Sequence, residues 1–257
     1  MTDVWDPGQY DRFRDERRQP FVDLLELVRP RPDMRVVDLG CGAGELTRLL
    51  HERLGARETL GIDSSASMLA RARKIVVDGL QFEEGDIADF APTKAYDLVF
   101  SNAALHWVPD HPALFTRLRD ALAAGGQLAV QVPANFDHAS HRVASEVAAE
   151  SPFREALGGW QPPASRILEP EQYAALLARL GFAEQHVRLQ VYGHRLAAPE
   201  EIVEWVKGTL LTDYRRRLSP DVYERFVARY RSRLLDRVEN TRPHFFAFKR
   251  ILLWAQR

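Results

Sequence analysis

The stretch VVDLGCGAGELTRLL, residues 36–50, decides the fold. It opens in a short apolar run, residues 35–39, of the kind that forms a strand buried on both faces. Gly40, Gly42 and Gly44 follow at once, and Leu46, Leu49, Leu50 and Leu54 then recur at helical spacing. A second apolar run, residues 59–62, ends at Asp63. Strand, glycine turn, helix and strand make a βαβ unit, and glycine lets the turn close tightly and approach a ligand with no Cβ in the way.

Outward from this unit the alternation continues. A helix is predicted over 66–75, strands over 80–83 and 96–100, a helix over 113–121 and a strand over 127–132. Such alternation predicts a doubly wound α/β domain, a parallel sheet with helices on both faces. Upstream, Asp6-Pro7-Gly8-Gln9 supplies a cap, a proline at the first helical position and a glutamine three residues after the cap. A helical arm over 1–30 is predicted there, in two pieces broken before Pro20. Beyond Pro133 the rhythm changes to a polar stretch and a Gly/Pro-rich segment, read as an insertion. A helix over 171–180, closed by Gly181, and strands over 184–191 and 245–254 complete the sheet. Helices over 200–211 and 220–238 lie between the last two strands, the second with Val222, Phe226, Tyr230 and Leu234 on one stripe. One domain, 1–257, is expected, with the insertions 134–170 and 197–242 capping the sheet.

Composition narrows the function. With 46% hydrophobic and 28% charged residues the chain is an ordinary globular protein, not a disordered one. Its apolar runs fall far short of the roughly 20 residues a membrane span requires, and the first residues lack the basic and apolar blocks of a signal peptide. A lone cysteine, Cys41, excludes an internal disulfide and a thiolate metal cluster, so the cytoplasm is the expected compartment and no metal site is expected. A net charge of −1 argues against a nucleic-acid partner. Yet residues 207–250 hold twelve Lys/Arg against five Asp/Glu, a local excess of seven positive charges.

The glycine spacing is G-x-G-x-G, whereas the dinucleotide fingerprint is G-x-G-x-x-G. Asp38 precedes it, and an acid there would repel a pyrophosphate but suits an ammonium group such as the methionine end of S-adenosylmethionine. Asp63 closes the second strand where a carboxylate can accept from both ribose hydroxyls. Asp86, after Glu83-Glu84-Gly85, ends the third strand where it can accept from an adenine amino group. Any one of these is as readily a loop cap or a turn glycine. Together they fall at the C-terminal ends of three successive strands, the edge where open α/β sheets bind ligands. An NAD-dependent oxidoreductase is disfavoured by the spacing.

At these residues the sequence resembles the class I S-adenosylmethionine-dependent methyltransferases over roughly its first half. The resemblance implies a mostly parallel seven-stranded sheet. It implies methionine contacts at Asp38, Gly40, Gly42 and Gly44, a ribose contact at Asp63, adenosine surroundings at Ser64 and Met68, and adenine contacts at Asp86 and Ile87. Asn102 and Tyr10 join the expected cofactor site, and Cys41 is packing. WDPGQYDRF (5–13), RRQPF (17–21), SNAALHWVPDH (101–111), QVPANFDHASH (131–141), VYGHRL (191–196) and FFAFKR (245–250) resemble the trans-aconitate methyltransferases, a likeness that extends over nearly the whole chain. This implies methyl transfer to a carboxylate of a small polycarboxylic acid, giving a monomethyl ester and S-adenosylhomocysteine, with a monomer expected.

A carboxylate acceptor is ionised at neutral pH and needs no general base, so catalysis would rest on positioning and desolvation. His106 is then expected to orient by hydrogen bonding and Trp107 to wall the site. Gln131, Asn135, Tyr192, His194, Arg250 and, on the arm, Arg17 are candidate substrate ligands; Arg17 lies two helical turns from Tyr10 on one face. For most arginines of the predicted cap a solvated helix face is the simpler reading. Two rivals stay open: the same chemistry on another acceptor, such as a carrier-bound carboxyl or a quinone-precursor carbon, and a protein that binds S-adenosylmethionine without catalysis.

Overall fold

The computed structural model describes residues 14–162 and 167–257, the side chains of 14–17 excepted. Seven strands form one sheet in the order β3-β2-β1-β4-β5-β7-β6. Strands β1 (Arg35–Leu39), β2 (Glu58–Asp63), β3 (Leu80–Glu84), β4 (Tyr96–Asn102) and β5 (Leu122–Pro133) are parallel. β7 (His244–Gln256) runs antiparallel between β5 and β6 (Glu184–Leu196). The doubly wound, mostly parallel seven-stranded sheet is the one the sequence predicts. The chain steps outward from β1 to β3 and then returns to β4, so the order reverses between β1 and β4, and a crevice opens at their C-terminal ends.

Strand residues alternate between two cores. Val36, Leu98, Phe100, Ala129, Leu252 and Trp254 pack against α1 (Arg14–Leu25) and α2 (Glu45–Leu54) through Phe21, Leu24, Leu50 and Leu54. Val37, Leu39, Val99, Leu128, Val130 and Leu253 face the other way, toward α4 (His111–Asp120) and α7 (Pro170–Arg179). The small α3 (Ala66–Ala72) packs Leu69 and Ala72 beside Phe82. Burial on both faces is why the strands read as continuous apolar runs.

Three local expectations are corrected. Pro20 lies inside α1 and does not break it. A proline removes one helical hydrogen bond, and here the fully buried Phe21 and Leu24, with the Phe21 ring tilted against Phe100 at 5.0 Å between centroids, hold the helix to the sheet regardless. The helix expected over 200–211 stops at Lys207 as α8 (Glu201–Lys207), with Gly208 at its C-cap, and resumes as α9 (Thr212–Arg215). The polar stretch after Pro133 contains α5 (Ala139–Ala148), capped by His138, whose Nδ1 accepts from the Ser140 N–H at 3.1 Å. The short α6 (Phe153–Ala156) follows it.

α5, α6, α8, α9 and α10 (Pro220–Leu235) share a second apolar cluster with Leu196, Phe246 and Phe248. Its central side chains, Tyr214, Phe226, Tyr230 and Leu234, are fully buried. The β6–β7 pairing runs from Glu184↔Gln256 to Leu196↔His244, whereas β5 pairs β7 only as far as Pro133↔Arg250. The β6–β7 ribbon therefore overhangs the sheet and carries this cluster beyond the C-terminal ends of the parallel strands. Among the described residues no helix is long and apolar enough to cross a membrane.

Candidate active site

The glycine turn after β1 is pinned to the end of β2. The N–H groups of Gly40 and Cys41 donate to the Ile62 carbonyl at 2.8 and 3.0 Å. The Gly42 N–H donates to Asp63 Oδ2 at 2.8 Å, and the Ser65 N–H donates to Oδ1 at 2.9 Å. One carboxylate thus ties the turn to the β2–α3 loop, and the residue lines the cavity. Asp38 stands behind the turn and off the cavity wall, accepting from Thr47 Oγ1 at 2.6 Å. Burial pushes its carboxyl up to about 7, against the opposing pull of the Thr47 hydrogen bond and with the help of the nearby Asp63 charge.

The three glycines, all at positive φ, are not equivalent. A Cβ on Gly44 would meet Phe82 Cζ at 2.7 Å and Ala72 Cβ at 2.8 Å, so this glycine serves packing. A Cβ on Gly40 would lie 2.2 Å from that of Ala104, where the loop after β4 crosses the turn. At Gly42 a Cβ would meet nothing within 4 Å, and the residue lines a cavity.

This cavity, about 1100 Å³, opens over the C-terminal edge of the sheet. One end is formed by Gly40, Gly42, Asp63, Ser64, Met68, Asp86 and Ile87, together with Asn102. Asp86 Oδ1 accepts from the Ala88 N–H at 2.8 Å, which leaves its other oxygen for a ligand. Next to Asn102, Ala103 holds a left-handed φ of 55°, a strain of roughly 1–3 kcal/mol for a residue with a Cβ. Its N–H donates to the Gln131 carbonyl at 2.9 Å, which fixes the loop that carries His106 and Trp107. Those two rings, 4.7 Å apart in a short turn (Leu105–Trp107), form the middle of the wall. The far end is built from β7 and the second cluster and includes Phe136, Arg142, Trp205, Leu210, Arg216, Phe248 and Arg250.

The near end fits a cationic nucleoside and not a dinucleotide. Asp63 and Asp86 place two carboxylates on the wall beside the glycine turn, which opposes a pyrophosphate and favours a sulfonium or an ammonium. The space at Gly42 admits the ligand to the backbone.

Comparison with known proteins agrees. The family profile described as a methyltransferase domain matches residues 10–187. A protein of Deinococcus radiodurans named trans-aconitate 2-methyltransferase is 44% identical, over 99% of this chain and 98% of its own. The protein of the same name from Acidovorax ebreus is 40% identical, over 98% of both chains. The chain belongs to the trans-aconitate methyltransferase family. It is an S-adenosylmethionine-dependent methyltransferase of the class I fold. The YcgJ protein of Bacillus subtilis superposes with a TM-score of 0.64 at 15% identity, covering 93% of this chain and 98% of that one. The phosphoethanolamine N-methyltransferase 2 of Haemonchus contortus does so with a TM-score of 0.55 at 19% identity, covering 93% and 52%. At such identities the likeness concerns the fold alone.

Within this methyltransferase the expected cofactor residues Gly40, Gly42, Asp63, Ser64, Met68, Asp86, Ile87 and Asn102 are brought together on one wall. Gly44 and Asp38 support that wall from behind. Tyr10 and the side chain of Arg17 lie outside the described residues. Among the described residues, Arg250 is the one expected substrate ligand that lines the cavity. It is 5% exposed, its guanidinium lies 4.7 Å from the Phe248 ring centroid, and Nη1 donates to Gln131 Oε1 at 3.4 Å.

The other four are placed elsewhere. Gln131 is fully buried beneath Arg250, and Asn135 uses Oδ1 to accept from the Lys249 N–H at 3.1 Å, pinning the chain as it leaves β5. Tyr192 packs on the α1 side and donates to Asp23 Oδ2 at 2.6 Å. His194 stacks 4.8 Å from Trp205, and burial pushes its imidazole down to about 4, so at neutral pH it is an uncharged packing ring. Sequence reasoning did not single out Arg142, Trp205 or Arg216. Arg216 is the one member of the triplet at 215–217 on the wall, a distinction set by helix phase that no local pattern marks.

Proposed function

We propose that this enzyme transfers the methyl group of S-adenosylmethionine to a carboxylate of trans-aconitate, giving a monomethyl ester and S-adenosylhomocysteine. The observation that carries this reading is the division of the cavity into an end of glycines and carboxylates at β1–β3 and an end bearing arginines at α5, α9 and β7. The names of the Deinococcus and Acidovorax relatives support the choice of acid.

When bound, S-adenosylmethionine supplies an electrophilic methyl group on a cationic sulfur. Asp63 would accept from the ribose hydroxyls, Asp86 and Ile87 would flank the adenine, and the Gly42 backbone would meet the methionine part. The acceptor needs no deprotonation, so no base is assigned. His106 would orient the acceptor carboxylate and Trp107 would exclude water. Transfer from the sulfonium to the carboxylate would cancel two opposite charges, the sulfur keeping the electron pair of the bond it loses. A poorly solvated wall favours such charge cancellation, and alignment in a near-attack geometry supplies up to roughly 7–11 kcal/mol. Residues 134–170 and 197–242 would act as the acceptor's cap. Arg250, held on a strand with its planar fork pre-oriented, is placed to pair with the acid.

The test is product analysis by mass spectrometry after incubation with isotope-labelled S-adenosylmethionine and a panel of small polycarboxylates. A monomethyl ester of trans-aconitate, formed with the highest kcat/KM of the panel, is expected. Cofactor binding without transfer to any acid would overturn the reading.

A further inference from the structure

We propose that Arg142 and Arg216 select the acceptor acid, each binding one of the carboxylates that is not methylated. This rests on the reading of the cavity as a polycarboxylate methyltransferase site.

The charges on the far wall are sorted. Three of its four carboxylates, Asp137, Glu146 and Asp213, are paired with other cations. Lys249 Nζ donates to Asp137, Arg233 and Arg237 reach Glu146 at 3.3 and 3.0 Å, and Arg217 reaches Asp213 at 3.5 Å. Glu169 serves the capping box of α7. Arg142 and Arg216 also line the cavity, and among the described residues neither makes an ion pair or a side-chain hydrogen bond. The field of Arg142 does reach Asp137, but the hydrogen-bonded partner of that carboxylate is Lys249. With Asp137, Glu146 and Asp213 paired to other cations and Glu169 engaged in its capping box, the positive charge of these two arginines is left for the cavity.

Both side chains project from fixed positions. Arg142 precedes Val143 and Ala144, and Arg216 lies between Tyr214 and Leu218, all buried in the second apolar cluster. The two arginines come from different insertions, so an acid that touched both would bridge them.

Chemistry decides which carboxylates they bind. A guanidinium on the attacking carboxylate would withdraw the electron density the reaction uses. The same group on a remote carboxylate strengthens binding and leaves the nucleophile intact. Two such contacts would favour a tricarboxylate over a dicarboxylate. Because both arginines are exposed, they lose little hydration on binding, and their contribution should weaken with added salt.

The experiment compares the parent with R142Q, R216Q and the double variant. It measures kcat and KM for trans-aconitate and for an unsaturated dicarboxylate lacking one carboxylate, and S-adenosylhomocysteine affinity by calorimetry. Each single change should raise the KM for trans-aconitate about tenfold with kcat little changed, a step equal to about one charge-assisted contact. The double variant should no longer prefer the tricarboxylate, and cofactor affinity should not move. Variants that keep the parent's KM and preference would overturn the proposal. If R142Q or R216Q melts early, the corresponding lysine variant must recover part of the KM, since it keeps the charge, and failure to do so counts against the assignment. A parent that methylates no polycarboxylate at all would instead sink the functional reading beneath it.

Discussion

Two alanine substitutions two positions apart should separate a packing glycine from a ligand-facing one. In Gly44→Ala the new side chain must adopt φ near +84°, which costs roughly 1–2 kcal/mol for an L-residue. It must also displace Phe82 Cζ and Ala72 Cβ from 2.7 and 2.8 Å, an overpacking that costs roughly 1–3 kcal/mol. The sum, about 2–5 kcal/mol, corresponds to a fall in Tm of roughly 4–20 °C for a chain of this length. Gly42→Ala carries only the backbone cost, about 1–2 kcal/mol or roughly 2–8 °C, because its Cβ meets nothing within 4 Å. That Cβ stands where the methionine part of the cofactor would lie. Differential scanning calorimetry and titration with S-adenosylhomocysteine read the two effects separately. Gly44→Ala should melt early yet bind almost normally well below its Tm, and Gly42→Ala should lose less Tm than Gly44→Ala yet bind at least about tenfold more weakly. Equal loss of affinity in both variants, or normal binding by Gly42→Ala, would refute the assignment.

Four further outcomes are expected. Asp63→Ala should weaken S-adenosylhomocysteine binding by about tenfold or more in calorimetry, since it removes the ribose acceptor and the tether of the Gly42 N–H; unchanged affinity would exclude the ribose role. His106→Ala should slow turnover without abolishing it, and the parent's rate should stay level across the histidine range of about pH 5–8; a rate tied to one ionisation and lost in the variant would assign it a base. Burial raises the Asp38 carboxyl to about 7 in the fold, so its stabilising effect is complete below the ordinary carboxyl range near 3.8 and is lost as the pH rises through about 7. The parent's Tm should therefore fall across that interval relative to Asp38→Asn, and parallel curves would argue that Asp38 ionises normally. Arg250→Met should raise the KM for the acid about tenfold and also lower the Tm, because it leaves Gln131 Oε1 buried without its donor; intact kinetics would reduce Arg250 to a structural role.

The sheet and the cofactor end were legible because their signals are local. Val36, Val37 and Leu39 lie in strands covered on both sides, so they read as unbroken apolar runs. Gly40, Gly42 and Asp63 sit where a positive φ or a strand-end carboxylate is required. α5 escaped notice because its buried face is made of Val143, Ala144, Val147 and Ala148, small residues scattered among His, Ser and Arg. Pro20 misled because a proline's cost is local while the burial that outweighs it is tertiary. The acceptor end was the least legible. Tyr192 is turned away by Asp23, 169 positions distant, and His194 is covered by Trp205 of α8. Whether a strand residue faces a ligand or a neighbouring helix depends on what is folded over it.

Leu196 and His244 are opposed at the last rung of the β6–β7 ribbon, and the chain between them leaves and re-enters the sheet at one place. Residues 197–243 are therefore a single excursion whose two ends are held together whatever its length. Lengthening or shortening it cannot shift the register of any strand, nor move Gly42 or Asp63. The acceptor end of this fold can be redrawn, by mutation or by design, without disturbing the end that holds the methyl donor. Its limit lies in α5, whose Val143 and Val147 rely on the excursion for cover, so a replacement must bring an apolar face of its own.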